Sequence, residues 1–210
     1  MSSNARAHPS GLHVLLVEDD PALSGYLGAS LRDHGYRVVF AQDRIQAMAC
    51  LQRPDAPNLV LLDLGLPPQP STMREGLAVL DEGLRLAPAL KVLVLTGQDE
   101  SSAAHEAVRR GAFDFLLKPV TLDTVLHALR RAELFAREEA SFARSGEARL
   151  HITARIGDGP KEAGAQAEEQ LLRRTFAACG HNVAETARQL GLAREHVYYY
   201  LNKYGIKRPE

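Results

Sequence analysis

NLVLLD (58–63) and KVLVLT (91–96) decide the fold. Each is an apolar run that closes on one polar side chain, Asp63 in the first and Thr96 in the second. Continuous apolar runs of this length suit strands buried on both faces. Working outward, LHVLLV (12–17) and RVVFA (37–41) precede them and FDFLLK (113–118) follows. The stretches between are helical in pattern: Leu23, Leu27 and Leu31 recur every four residues, and Leu77, Leu80 and Leu84 at three and four. Leu122, Val125, Leu126 and Leu129 repeat the pattern. Five strands alternating with five helices predict an α/β fold, a five-stranded parallel sheet with helices on both faces.

Composition narrows the function classes. Of 210 residues 45% are apolar, enough for a real core, and the formal net charge is −1, so charge alone makes the whole chain neither a nucleic-acid nor a membrane binder. Cys50 and Cys179 lie far apart without metal-like spacing and read as small buried hydrophobes. MSSNARAHPSG (1–11) has no apolar run for a signal peptide and no stretch approaches a membrane span, which predicts a cytoplasmic protein without membrane association. No G-x-x-x-x-G-K-[ST] loop, Ser-His-Asp set or metal-spaced His/Cys cluster stands out, so no enzyme is expected. His105 and His127 read as helix-surface residues.

Ligands of open parallel sheets bind at the carboxyl ends of the strands. Those ends carry Glu18-Asp19-Asp20, Asp63, Thr96 and Lys118-Pro119. Clustered carboxylates repel unless a cation lies between them, and oxygen ligands in a partly hydrated cluster suit magnesium. A lysine offers a compact positive charge for phosphate oxygens, and a threonine hydroxyl one more hydrogen bond. The set suits a phosphoryl group carried on a carboxylate. Singly, each residue reads as a turn, a helix cap or a loop; four in order at strand ends do not.

VLLVEDD (14–20), NLVLLDLGLPP (58–68), KVLVLTG (91–97) and GAFDFLLKP (111–119) resemble the receiver domain of two-component response regulators, over residues 12–136. The resemblance implies a flavodoxin-like fold with Asp63 as phosphoacceptor. It implies a magnesium (Mg2+) site at Glu18, Asp19, Asp63 and the carbonyl of Gly65. Thr96 and Lys118 would hold the phosphoryl group, Phe115 would be the aromatic switch, and the phosphodonor would be a sensor histidine kinase. Two departures stand out: PPQPSTMREG (67–76) is longer than usual and should form a lip beside the pocket, and Gly97 follows Thr96 where alanine is common.

From 137 to 165 the apolar pattern fails, and Gly, Ala and charge read as a linker, parts of which could prolong the preceding helix and in which HITARI (151–156) could form a short strand. From 166 to 210 helical patterning returns as a small all-α unit. Leu171, Leu172, Thr175, Phe176 and Cys179 share a face and Gly180 is a C-cap. Asn182 opens a second helix with Glu185 at capping-box spacing, Gly191 allows a tight turn, and a third helix follows from about Ala193 to Lys203. NVAETARQLGL (182–192) and LNKYGI (201–206) resemble the Fis-type helix-turn-helix that ends many bacterial activators. In those activators an ATPase module precedes it; here about thirty residues stand in that place, as in compact receiver-plus-Fis regulators.

By position the third helix would enter the major groove. Arg194, His196, Tyr199 and Lys203 are the candidate DNA contacts, with Glu195 and Tyr200 also exposed. Tyr198 and Tyr204 are expected to pack the small core or a dimer interface. The expected function is a transcriptional regulator switched at Asp63, dimeric when phosphorylated and bound to a palindromic DNA site. The alternative is a receiver-controlled module whose Fis-like helices dimerise or dock a partner protein without binding DNA. Salt dependence separates the two, since phosphate contacts release counterions and protein docking does not.

Overall fold

The computed structural model describes residues 13–97, 101–144, 147, 150, 157 and 159–207. In chain order the elements are β1 (His13–Val17), α1 (Pro21–Asp33), β2 (Arg37–Ala41), α2 (Arg44–Leu51), β3 (Leu59–Asp63), α3 (Arg74–Leu86) and β4 (Lys91–Thr96). They continue with α4 (Ser101–Arg109), β5 (Asp114–Leu117), α5 (Leu122–Arg144), α6 (Gly159–Ala178), α7 (Val183–Leu190) and α8 (Arg194–Lys203). The chain divides into two compact units, the first running to Leu134 without Ala87–Ala89 and the second made of Ala87–Ala89 and the chain from Phe135 onward.

In the first unit all five strands are parallel, in the order β2-β1-β3-β4-β5. Every residue of β3 and β4 is buried, as their unbroken apolar runs require. Alternation divides the side chains between two faces. Val14, Leu16, Leu59, Leu61, Leu93, Leu95 and Leu116 form one core with Leu27 and Leu31 of α1 and Val125, Leu126 and Leu129 of α5. Because the strands are in register, Asp63 pairs with Leu95 and Thr96 with Leu117. The polar residues that end the runs therefore reach one edge of the sheet together.

Two helices start on aspartates that accept backbone N–H groups left free by helix geometry. Asp20 accepts from Ala22 at 2.8 Å, with Pro21 opening α1, and Asp43 accepts from Gln46 at 2.8 Å to start α2. α3 starts differently. Its buried face carries Gly76, Val79, Leu80 and Gly83, whereas Leu77 and Leu84 lie only partly buried beside it. A Cβ on Gly76 would lie 2.4 Å from the Cα of Leu64 and 2.9 Å from the carbonyl oxygen of Asp63. Glycine there lets the first turn of α3 rest on the backbone that follows β3.

The second unit holds Leu172, Phe176, Val183, Ala187, Val197 and Leu201 in one core, with Leu190, Leu192, Tyr200, Tyr204 and Ile206 packed against it. Helix extends into the stretch whose composition reads as linker: residues 137–144 continue α5 and 159–165 belong to α6. Ala, Glu, Arg and Lys make up most of these residues and are strong helix formers that need no apolar stripe to remain helical. HITARI (151–156) lies outside the described residues. Cys50 and Cys179 are free thiols, half-buried rather than core.

The close approach at Gly76 makes a directional prediction. Gly76→Ala should lower unfolding free energy by about 1–3 kcal/mol in urea titrations, despite the higher helix propensity of alanine. Gly83→Ala, whose Cβ would meet only the flexible ends of Leu90 and Leu51 at 3.2 and 3.3 Å, should be far milder. Equal stability of both variants with wild type would disprove the packing account of α3.

Candidate functional site

The carboxyl edge of the sheet gathers Glu18 and Asp19 after β1, Asp63 at the end of β3, Thr96 at the end of β4 and Lys118 after β5. One oxygen from each of Glu18, Asp19 and Asp63 lies within 4.8 Å of the others. The ammonium of Lys118 donates to Glu18 Oε2 at 2.9 Å and lies 2.9 Å from Asp63 Oδ2. The main-chain N–H of Lys118 donates to the Thr96 carbonyl at 2.7 Å, which fixes the lysine's root beside the end of β4. Thr96 and Glu18 are each 1% exposed and Asp63 8%, so these two carboxylates are withdrawn from bulk water, with Asp19 partly buried beside them.

Burial pushes the Glu18 carboxyl above its usual range; the Lys118 hydrogen bond opposes that push and the Asp63 charge adds to it. For Lys118 burial acts to weaken the ammonium, but the hydrogen bonds and charges of Glu18 and Asp63 outweigh it and hold the group above its ordinary value. One lysine thus faces three acids, and the pocket carries excess negative charge. Its donors are all oxygens, and a side chain on Gly65 would stand 3.8 Å from Asp63 Oδ2, which puts the backbone of residue 65 beside the cluster. Such a set suits a small, hard divalent cation.

The structure separates roles inside the acidic motif: Asp20 caps α1, and the two carboxylates before it face the pocket. The 67–76 segment turns at Pro67-Pro68 and at Gln69, whose carbonyl accepts the N–H of Thr72. It folds over residue 65, where the Pro70 carbonyl oxygen would stand 3.0 Å from a Cβ. Phe115 lies on β5 opposite Val94, 36% exposed, with Leu117 beside it at 47%. His105 and His127 are on helix surfaces. Gly76 is the residue sequence reasoning missed; glycine at a buried position of an otherwise amphipathic pattern was its signal.

The second site is the pair α7 and α8. Asn182 Oδ1 accepts the N–H groups of Ala184 and Glu185 at 3.0 and 3.1 Å. The reciprocal half of a capping box is absent, because Glu185 takes Arg188 at 2.6 Å and the Asn182 N–H goes to the Cys179 carbonyl. Gly191 adopts φ 64° and lets the Leu192 N–H reach the Ala187 carbonyl at 2.9 Å, closing the turn. Gly180, at φ 59°, ends α6 in the same way.

On α8, Val197 and Leu201 face the core as expected, and Arg194, Glu195, His196, Tyr198, Tyr199 and Asn202 are exposed. The tyrosines divide. Tyr198 is 55% exposed and does not pack in the core, because it lies about 100° around the helix from Val197, which leaves a dimer interface of the two places expected for it. Tyr200 packs on the core with Tyr204, their rings stacked at 6.4 Å, rather than facing outward. Lys203 is also not a free cation: its ammonium donates to Glu168 Oε1 at 2.7 Å. That partner is 35 positions away and has no local sequence signal.

Comparison with known proteins adds two families. The family described as Response regulator receiver domain matches residues 14–130, more than half the chain. Bacterial regulatory protein, Fis family, matches residues 165–204. The nitrogen assimilation regulatory protein NtrX of Azorhizobium caulinodans is 35% identical over 119 residues, 57% of this chain and 25% of that protein. The two-component response regulator PprB of Pseudomonas aeruginosa is 31% identical over 160 residues, covering 70% of this chain and 53% of its own length. The crystal structure of the receiver domain of NtrX from Brucella abortus matches with a TM-score of 0.52 at 34% identity, over 57% of this chain and 96% of that one. The chain spans about a quarter of the length of the first of these relatives. Among the described residues no helix is long and apolar enough to cross a membrane.

Lys118→Met tests the electrostatics of the pocket. Glu18 is held above its unfolded value, so its ionisation opposes folding; that opposition is absent at low pH and grows as pH rises through the folded value. Without the lysine the opposition should be larger. The variant should lose about 1–3 kcal/mol at neutral pH and recover much of it as pH falls toward the carboxylate range or when magnesium is added. A deficit that ignores both pH and magnesium in thermal unfolding would rule this account out.

Proposed function

Since the chain belongs to the family of response regulator receiver domains, we propose that it is a two-component transcriptional regulator switched by phosphorylation of Asp63. The observation that carries this reading is the single ammonium of Lys118 shared at 2.9 Å between Glu18 and Asp63, at the sheet edge where Asp19 and Thr96 also end. The Fis-family match of the C-terminal helices supports DNA as the target.

Phosphoryl transfer follows from the groups present. A carboxylate oxygen of Asp63 attacks the phosphorus of a histidine-bound phosphoryl group on a sensor kinase. The phosphorus–nitrogen bond breaks, the imidazole leaves and takes a proton from solvent, and an aspartyl phosphate remains. Glu18, Asp19, Asp63 and the Gly65 carbonyl would hold magnesium, which supplies positive charge against the phosphoryl oxygens. Lys118 donates to one of those oxygens, and the Thr96 hydroxyl moves in to donate to another. The space it leaves admits Phe115, whose ring is now at the surface.

Magnitudes support such a switch. Reversing a two-state equilibrium takes about 5.5 kcal/mol of differential stabilisation. A hydrogen bond to a charged group supplies about 1.5–3 kcal/mol. Lys118 already has two partners before phosphorylation, so its net gain is smaller than that of a free lysine. Thr96 and backbone N–H groups must therefore supply most of the difference. Phosphorylation pairs two chains, whose α8 helices then read a palindromic site. The chain performs no catalysis beyond accepting the phosphoryl group.

Three measurements check this. Incubation with labelled acetyl phosphate and magnesium should label the wild-type chain and leave Asp63→Asn unlabelled; equal labelling would sink the assignment of Asp63. Selection of genomic fragments at one fixed salt concentration should enrich a palindromic site more strongly with beryllofluoride than without. Folded protein that binds beryllofluoride yet enriches nothing would point instead to a partner protein as the target. Arg194→Ala should flatten the salt slope of log K by about one unit for each subunit contacting DNA.

A further inference from the structure

We propose that Glu168 masks Lys203, withholding from nucleic acid a positive charge on the DNA-reading helix and thereby limiting its affinity. The proposal rests on the DNA-binding reading above and adds a residue of α6, outside the helix-turn-helix, as a determinant of binding strength.

The charge census of the second unit leads to it. Arg173 pairs with Glu169 at 2.7 Å, Arg188 with Glu185 at 2.6 Å and Lys203 with Glu168 at 2.7 Å. Arg174 lies 3.6 Å from Glu139. Among the described residues of this unit, Arg194 and Lys207 are the cations on or after α8 that stand outside these pairs. The three close pairs are not equivalent. Arg188 is 78% exposed on its own helix, and an exposed pair of that kind exchanges partners at almost no cost. Arg173 also donates to the Tyr204 carbonyl at 2.9 Å, just past the end of α8, and so is structural.

Lys203 is different. It lies on the side of α8 that flanks the exposed Tyr199, and it is half-exposed, close enough to solvent to meet a phosphate. Yet it has three partners at once. Its ammonium meets Glu168, lies 4.8 Å above the Tyr204 ring and 5.5 Å above that of Tyr200. Tyr204 also donates its hydroxyl hydrogen bond to Glu168. Hydrogen bonds from Lys203 and then Tyr204 hold the Glu168 carboxyl below its ordinary value, so it stays ionised. A phosphate would have to displace a carboxylate fixed in place by a second donor.

The test measures the salt dependence of binding to a fluorescein-labelled duplex of mixed sequence, using the full chain. A neutralised phosphate contributes about −0.9 to the slope of log K against log salt. Glu168→Gln removes the carboxylate charge and keeps a group that accepts from Tyr204. It should steepen the slope by about one unit per bound subunit, an extra loss of about three- to fourfold between 50 and 200 mM salt, and tighten binding at the low end. Glu168→Ala should steepen it equally, and circular dichroism shows whether each variant is folded. The added slope should vanish in Glu168→Gln/Lys203→Gln. Salt-dependent binding with the same slope in wild type and both Glu168 variants overturns the masking alone, as does an added slope that survives loss of Lys203. No binding at any salt by wild type or variants overturns the masking together with the DNA-binding reading.

Discussion

The ammonium of Lys118 sits between Glu18 and Asp63, although Glu18 lies 100 positions away in the chain. That contact exists only if β1, β3 and β5 end at the same level. The parallel register ensures it: Val17 stands opposite Leu62, Asp63 opposite Leu95 and Thr96 opposite Leu117. A slip of one residue in any pairing would exchange the side chains that pack on the two buried faces and carry a pocket residue to the wrong side of the sheet. The core and the pocket are thus specified by the same alternation. Burial of the leucines and valines sets the register, and the register sets the chemistry.

The pocket's charge is deliberately incomplete in the physical sense that one lysine cannot neutralise three carboxylates. Glu18, at 1% exposure, is desolvated and pushed toward its neutral form. A cation would relieve that burden, and a phosphoryl group on Asp63 would then compete for the lysine. Rigidity around Asp63 matters for both. α3 rests on the backbone at Asp63 and Leu64 through Gly76, and Asp20 anchors the first turn of α1 beside the acidic pair. Asp63 is held from the sheet side by pairing and from the helix side by a contact too close for any Cβ.

Most of this was legible because a doubly wound sheet writes its pattern locally. Apolar runs that end in Asp63, Thr96 and Lys118 announce both the strands and the edge where they meet. Four things lay outside that apolar pattern. The depth at which α3 settles depends on a glycine among leucines, whose significance appears only when the opposing backbone is known. The start of α6 depends on helix propensity without an apolar stripe. The orientation of Tyr198 and Tyr200 differs although they are two residues apart, since each residue turns about 100° around a helix and only one of the two faces the core. The pairing of Lys203 with Glu168 joins separate helices and leaves no spacing to read.

Counting charges misleads in the C-terminal unit for the same reason. Seven basic and five acidic residues from 166 to 210 suggest a modest excess of +2, yet the location of the pairs matters more than the sum. With Arg173 and Lys203 held by carboxylates, a single subunit offers few cations to a phosphate backbone. Its outward face on α8 carries Arg194, Glu195, Tyr198, Tyr199 and Asn202, of which Arg194 alone adds counterion release while the others can contact bases or stack. Weak electrostatics per subunit has a regulatory consequence in the proposed reading. Binding then depends steeply on joining two subunits on one site, where the second contact is intramolecular and gains from effective concentration. A receiver that controls pairing gains leverage over DNA occupancy when each helix-turn-helix is a poor binder alone. An extra free lysine would weaken that control by letting the unphosphorylated monomer bind.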